Sequence, residues 1–108
     1  MKKILILGTA LLCGFLCRVA AQGVEFRDLT FGQALEQART ENKLVFMDCY
    51  TSWCGPCKNM LKNVFTLPEA GEFMNAHFVC VKYDMEKGEG IGLKKQFAVR
   101  AFPTFLLS

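Results

Sequence analysis

Apolar and polar positions along the chain alternate in two rhythms, one helical and one extended, that take turns. Phe31, Ala34, Leu35 and Ala38 recur at the three- and four-residue steps of a helix. Thr30 and Gln33 stand at its start with the spacing of a capping box, and the charged run Arg39 to Lys43 closes it. Directly afterwards Leu44-Val45-Phe46-Met47 is an unbroken apolar run leading to Asp48 and Cys49, the pattern of a strand buried on both faces. From Gly55 to Phe65 the helical spacing returns, with Met60, Leu61 and Val64 on one side. Pro68 ends that helix or starts a short one, whose apolar side is expected at Ala70, Phe73 and Met74. Phe78-Val79-Cys80-Val81 predicts a second buried strand. Gly88, Gly90 and Gly92 predict a loose entry to a helix around Leu93 to Phe97. Phe102 to Leu107 predicts a last strand opened by Pro103, because proline lacks the backbone donor that a strand interior needs. Strands alternating with helices argue an α/β fold with a central sheet covered on both faces.

The N-terminus follows a different pattern. Met1-Lys2-Lys3 precedes an apolar run of 13 residues, Ile4 to Leu16, and Val19-Ala20-Ala21 supplies small residues before Gln22. This is the layout of a secretory signal peptide over 1–21, leaving a domain over 22–108. The run is short of the roughly 20 residues that span a bilayer, although an uncleaved anchor stays open as the alternative. Cys13 and Cys17 each follow a leucine, where a lipoprotein cut site wants a small residue. An exported protein is therefore expected, with a mature form that is not embedded in the membrane.

Removal of that segment changes the charge. The whole chain has 13 basic and 10 acidic residues and a formal charge of +3, but Lys2, Lys3 and Arg18 belong to the signal, so the remainder is formally neutral. The basic excess thus gives no reason to expect nucleic acid or an anionic membrane surface as a partner. Four of the six cysteines remain, Cys49, Cys54, Cys57 and Cys80, in a compartment that permits disulfides. About 87 residues suffice for one small domain. Ser108 follows the last apolar run with no turn, helix or cap, so a longer protein is expected.

The chemistry concentrates in Cys54-Gly55-Pro56-Cys57. A structural zinc site needs four ligands, whereas the only histidine is His77 and the other thiols sit in apolar strands, so no metal is expected. A permanent staple across so short a loop removes little entropy from the unfolded chain. Redox exchange fits the context better. The pair lies where a buried strand hands over to a helix, and a helix N-terminus favours the thiolate of Cys54. Cys57, one turn further in, is shielded and can attack back. Gly55 and Pro56 let the chain enter the helix tightly.

Trp53-Cys54-Gly55-Pro56-Cys57-Lys58 resembles the active-site motif of the thioredoxin family, and the likeness extends to Asp48 on the preceding strand and to Phe102-Pro103-Thr104. The stretch from Lys43 to Phe73 is similar to exported thioredoxin-like proteins and to the periplasmic reductase domain of thiol:disulfide interchange proteins. The resemblance implies a thioredoxin-like fold: a mixed central sheet flanked by helices, here expected without the family's last strand and terminal helix. It implies that Cys54 is the attacking thiolate, Cys57 the resolving thiol and Asp48 the buried proton acceptor. Trp53, Gly55, Pro56, Phe102 and a cis Pro103 would form the substrate-docking surface. Lys82 is the candidate for the family's lysine near the third strand, and Lys58 would lend slight positive potential.

The expectation is an exported protein-disulfide reductase or exchanger that needs no bound cofactor, with protein disulfides as substrates and a membrane thiol reductant as electron donor. Gly-Pro between the cysteines resembles reducing members, near about −270 mV, more than strong oxidants, near about −120 mV. Two other classes stand beside it: a thioredoxin-fold binding module for docking or copper delivery without turnover, and a structural unit of a larger chain. Cys49 and Cys80 are expected as core residues, with a second disulfide between them as the alternative, and His77 as a surface cap.

Overall fold

The computed structural model describes residues 23–108; the expected signal segment, 1–21, lies outside the described residues. In chain order the elements are α1 (Phe31–Glu41), β1 (Leu44–Tyr50), α2 (Gly55–Asn63), α3 (Pro68–His77), β2 (Phe78–Asp84), α4 (Gly90–Gln96) and β3 (Thr104–Leu107). Helix α1 begins where its capping box predicts. Gln33 N–H donates to Thr30 Oγ1 at 3.2 Å, and Thr30 N–H donates to Gln33 Oε1 at 3.0 Å. It ends at Asn42, whose left-handed backbone (φ 58°) returns its N–H to the Ala38 and Arg39 carbonyls.

The sheet has the order β2-β1-β3 among the described residues. β1 runs parallel to β2, with Val45 opposite Val79 and Asp48 opposite Lys82, and antiparallel to β3, with Asp48 opposite Phe105 and Cys49 opposite Thr104. The parallel step from β1 to β2 requires a crossover, which α2 and α3 supply. One face of the sheet carries Val45, Met47, Cys49, Val79 and Val81, which pack with Ala34 and Ala38 of α1 and with Met85, Leu93 and Val99. On the other face Phe46 stacks on Phe105 at 5.5 Å, and Phe65, from the turn after α2, meets both edge-on. The outer edge of β2 is covered by the entering chain: Phe26 bridges Cys80, and Arg27 N–H donates to the Cys80 carbonyl at 2.8 Å. No helix among the described residues is long and apolar enough to cross a membrane.

The structure corrects several expectations. β2 outruns its apolar run, continuing through Lys82-Tyr83-Asp84, and β1 passes the expected Asp48 and Cys49 to end at Tyr50, because ladder pairing does not depend on side-chain polarity. Pro103 precedes β3 instead of opening it. Phe73 is 57% exposed, since α3 turns Gly71 inward against the Gly23 backbone, and a residue two positions on faces the opposite way. Gly90 is no loose entry: it is buried against the Asp84 carbonyl so closely that any Cβ would collide with backbone. Cys49 and Cys80 are free and buried on opposite faces, since Cys80 pairs with Phe46 and Cys49 with Tyr83, which excludes a disulfide between them.

The α1 cap makes a stability prediction. Thr30→Ala should lower the unfolding free energy by about 1 kcal/mol, while Thr30→Ser should lose little. Urea denaturation of the three proteins side by side measures it.

Candidate active site

β1 ends at Tyr50, and its exit carries the motif. Cys54 is the N-cap of α2, in an extended conformation (φ −79°, ψ 110°), and Pro56 stands in the first turn, where a missing N–H leaves no acceptor unsatisfied. Cys54 and Cys57 form a disulfide with their Cα atoms 5.3 Å apart. Cys57 N–H donates to Cys54 Sγ at 3.1 Å, so a backbone donor already points at the sulfur that would carry charge once the pair is reduced. Lys58 N–H donates to the Cys54 carbonyl, and Cys54 N–H to the Thr51 carbonyl at 3.3 Å, which fixes the turn from both sides. Both cysteines are nearly enclosed, at 3% and 1% exposure, whereas Trp53, Gly55 and Pro56 around them are exposed. A partner can therefore approach the pair only across that rim.

Asp48, on the strand that feeds the motif, is 1% exposed, and among the described residues neither of its carboxylate oxygens has a hydrogen-bond partner. Burial penalises the charged form and pushes its pKa up to about 6, against the opposing pull of Lys82, its neighbour across the β1–β2 ladder. Lys82 is itself exposed and lies 5.5 Å from the centre of the Phe26 ring, so its ammonium offsets the desolvation of Asp48 only in part.

The rim is assembled from three separate loops. Trp53, 64% exposed, meets Phe102 edge-on at 5.9 Å. The Phe102–Pro103 peptide bond is cis, and Thr104, the next residue, pairs with Cys49, which brings this loop to the end of β1 beside the motif. The third loop follows β2, and its Glu86 Oε1 accepts from the Trp53 indole N–H at 2.9 Å. Of the residues singled out in the sequence, Cys54, Cys57, Trp53, Gly55 and Pro56 share one strand-to-helix turn, Phe102 and Pro103 join them from the far end of the chain, and Asp48 lies on the strand that feeds the turn. Lys58 is exposed on α2, and His77 is exposed at the end of α3, where Nδ1 lies 2.8 Å from the Phe73 carbonyl oxygen. Burial raises the Cys49 and Cys80 thiols to about 11, which makes them inert core residues.

Two residues escaped the sequence. Thr51 is 1% exposed with its hydroxyl unpartnered among the described residues, and its carbonyl holds the Cys54 N–H. A threonine three residues before the N-cap cysteine carries no signal of burial. Glu86 lies 33 residues from Trp53, and no local pattern links them.

Comparison with known proteins agrees with this geometry. A family model described as Thioredox_DsbH, protein of unknown function (DUF255), matches residues 10–101. Thioredoxin-2 of Pyricularia oryzae is 33% identical over 90 residues, covering 83% of this chain and 49% of that protein. Thioredoxin-1 of Drosophila yakuba is 36% identical over 76 residues, 70% of this chain and 64% of that one, so the chain spans about half to two thirds of these relatives. Among solved structures, a candidate disulphide-isomerase from Bacteroides thetaiotaomicron superposes with a TM-score of 0.70 at 50% identity, over 81% of this chain and 72% of that one. A structure described as DsbH oxidoreductase, at 23% identity, shares the fold with a TM-score of 0.69, over 82% and 67%.

Asp48 predicts a pH dependence. The folded protein holds the carboxyl proton more tightly than the unfolded chain, so this contribution to stability is complete below 3.8 and is lost as pH rises through about 6. Asp48→Asn, which cannot ionise, should be more stable than the parent above pH ~6 by about 2–3 kcal/mol, with the gap closing below pH ~4. Urea unfolding of the oxidised proteins across that range checks both sign and window.

Proposed function

The chain belongs to the thioredoxin-like family, and from that membership we propose that it is a thiol–disulfide oxidoreductase acting on disulfides of exported proteins in the periplasm. The observation that carries the proposal is the Cys54–Cys57 disulfide closing the first turn of α2, with Cys54 at the N-cap and a backbone N–H on its sulfur. In this reading residues 1–21 are a signal peptide and 22–108 form a thioredoxin-like domain.

The reaction runs through two exchanges. In the reduced protein the Cys54 thiolate, favoured by the Cys57 N–H and the helix N-terminus, attacks one sulfur of a substrate disulfide. A Cys54–substrate disulfide forms, and the other substrate sulfur leaves as a thiolate and takes a proton from solvent. The Asp48 carboxylate, ionised above about 6, accepts the Cys57 proton. The Cys57 thiolate then attacks Cys54 Sγ, the Cys54–Cys57 bond forms and the second substrate sulfur departs. Two electrons have passed from the dithiol to the substrate, and a membrane thiol reductant returns the pair to its dithiol form. Trp53, Gly55, Pro56, Phe102 and Pro103 hold an extended substrate segment over the disulfide.

The equilibrium reduction potential of the pair, titrated against glutathione and followed by Trp53 fluorescence, is expected near about −270 mV. A value near about −120 mV would instead make the protein a disulfide donor. Cys54→Ser should abolish disulfide reduction, and Cys57→Ser should accumulate the mixed disulfide with substrate, visible by non-reducing electrophoresis. A folded protein whose pair does not titrate would overturn the proposal.

A further inference from the structure

We propose that Glu86 is a specificity-determining residue of the docking rim, selecting substrates that carry a basic side chain, arginine above all, beside the reactive cysteine. The inference rests on the oxidoreductase reading above and assigns the substrate class of that site.

The carboxylate is built into the rim. Glu86 N–H donates to Asp84 Oδ1 at 2.9 Å, and the preceding residue, Met85, is 1% exposed with its N–H on the Tyr50 carbonyl at 2.7 Å. The loop after β2 is thus fastened to the last residue of the strand that leads into the motif. From this base Glu86 Oε1 takes the Trp53 indole N–H, while the ring of Trp53 is braced by Phe102. Glu86 itself is exposed, and it enters neither of the ion pairs among the described residues, which join Glu41 to Arg27 and to Lys43.

One indole N–H is a neutral donor and leaves the carboxylate its full charge and most of its acceptor capacity. A guanidinium suits what remains, since it can hydrogen-bond a carboxylate oxygen while lying on an exposed indole face. Asp84 adds a second negative charge to the same loop. Lys87 follows in that loop, Lys58 is on α2 and Arg100 precedes the cis-proline loop; all three are exposed, and none is among the ion pairs of the described residues, while the Glu86 carboxylate is held against the indole. An acidic substrate segment would meet the carboxylates at close range.

The test uses the Cys57→Ser variant, whose Cys54 captures substrate without release. Three synthetic peptides differ only in carrying Arg, Gln or Glu two residues from a cysteine held as its thionitrobenzoate mixed disulfide, and capture frees the chromophore. At low salt the capture rates should rank Arg above Gln above Glu, with an Arg-to-Glu ratio of about fivefold. The ratio should shrink as salt is raised. Glu86→Gln in the same background keeps an acceptor for the indole and should cut the ratio to about twofold or less, the remainder coming from Asp84; Glu86→Lys should invert it. A ratio near one in the parent, a ratio indifferent to salt, or one left unchanged by Glu86→Gln would overturn the inference. Because the salt series needs no Glu86 variant, the decision does not hang on either substitution folding. Capture of none of the peptides would bring down the oxidoreductase reading and this inference together, whereas capture without ranking overturns only the latter.

Discussion

Paired to β2 over all seven of its residues and to β3 over Phe46–Cys49, β1 satisfies its backbone donors and acceptors on both edges. That double pairing also fixes where each side chain goes. A strand pinned on two sides cannot rotate to carry a polar residue to water, so the alternation of faces becomes absolute. Val45, Met47 and Cys49 fill the core beneath α1, and Phe46 and Asp48 are committed to the other face. The raised pKa of Asp48 follows from this constraint: its carboxyl is buried because the strand is central. The position of the disulfide follows as well, since the turn that bears it starts one residue after a strand that cannot shift.

Local sequence carried the parts of this structure that local physics decides. The capping box at Thr30 and Gln33, the apolar runs at Leu44 and Phe78, and the Gly-Pro entry to α2 each work through neighbours within four residues, and each was legible. The α/β class and the cysteine pair came out for the same reason, whereas the thioredoxin-like fold came from the resemblance that the motif, Asp48 and Phe102-Pro103 carry. What was not legible depends on contacts between distant segments. Phe73 reads as core on its own helix, but Gly71 must face inward because the Gly23 backbone presses on it from 48 residues away. Gly90 reads as a flexible link and is in fact a close-packing point against Asp84. The full lengths of β1 and β2 come from pairing with each other, which a run of hydrophobicity underestimates once polar residues enter the ladder.

The site divides its tasks between rigid and assembled parts. The sulfurs, the N–H that addresses Cys54 and the carboxyl behind them belong to one continuous stretch, β1 through the first turn of α2, whose geometry is set by ladder and helix hydrogen bonds. The rim has no such continuity: Trp53, Glu86 and Phe102 arrive from three loops and are held by one hydrogen bond and one aromatic contact. Chemistry common to the family can stay with the first part while the second changes residue by residue, which is why the rim is where this chain's own selectivity should be sought.

Asp48 and Thr51 show what that rigid part costs. Both are buried with polar atoms that no group among the described residues satisfies, where the other buried side chains of those residues are apolar. An unpartnered buried polar group opposes folding by about 1–3 kcal/mol, and a carboxyl asked to ionise there opposes it further. Packing alone would favour an apolar residue at position 48. In the proposed mechanism the carboxyl serves through the property that makes it unfavourable: with its pKa lifted to about 6, it would take a proton and give it back near neutral pH, which an ordinary surface aspartate would not. The double pairing of β1 reconciles the two demands. Ladder hydrogen bonds and the aromatic layer of Phe46, Phe65 and Phe105 hold the strand in register, so the unfavourable carboxyl stays buried at position 48 instead of escaping to solvent.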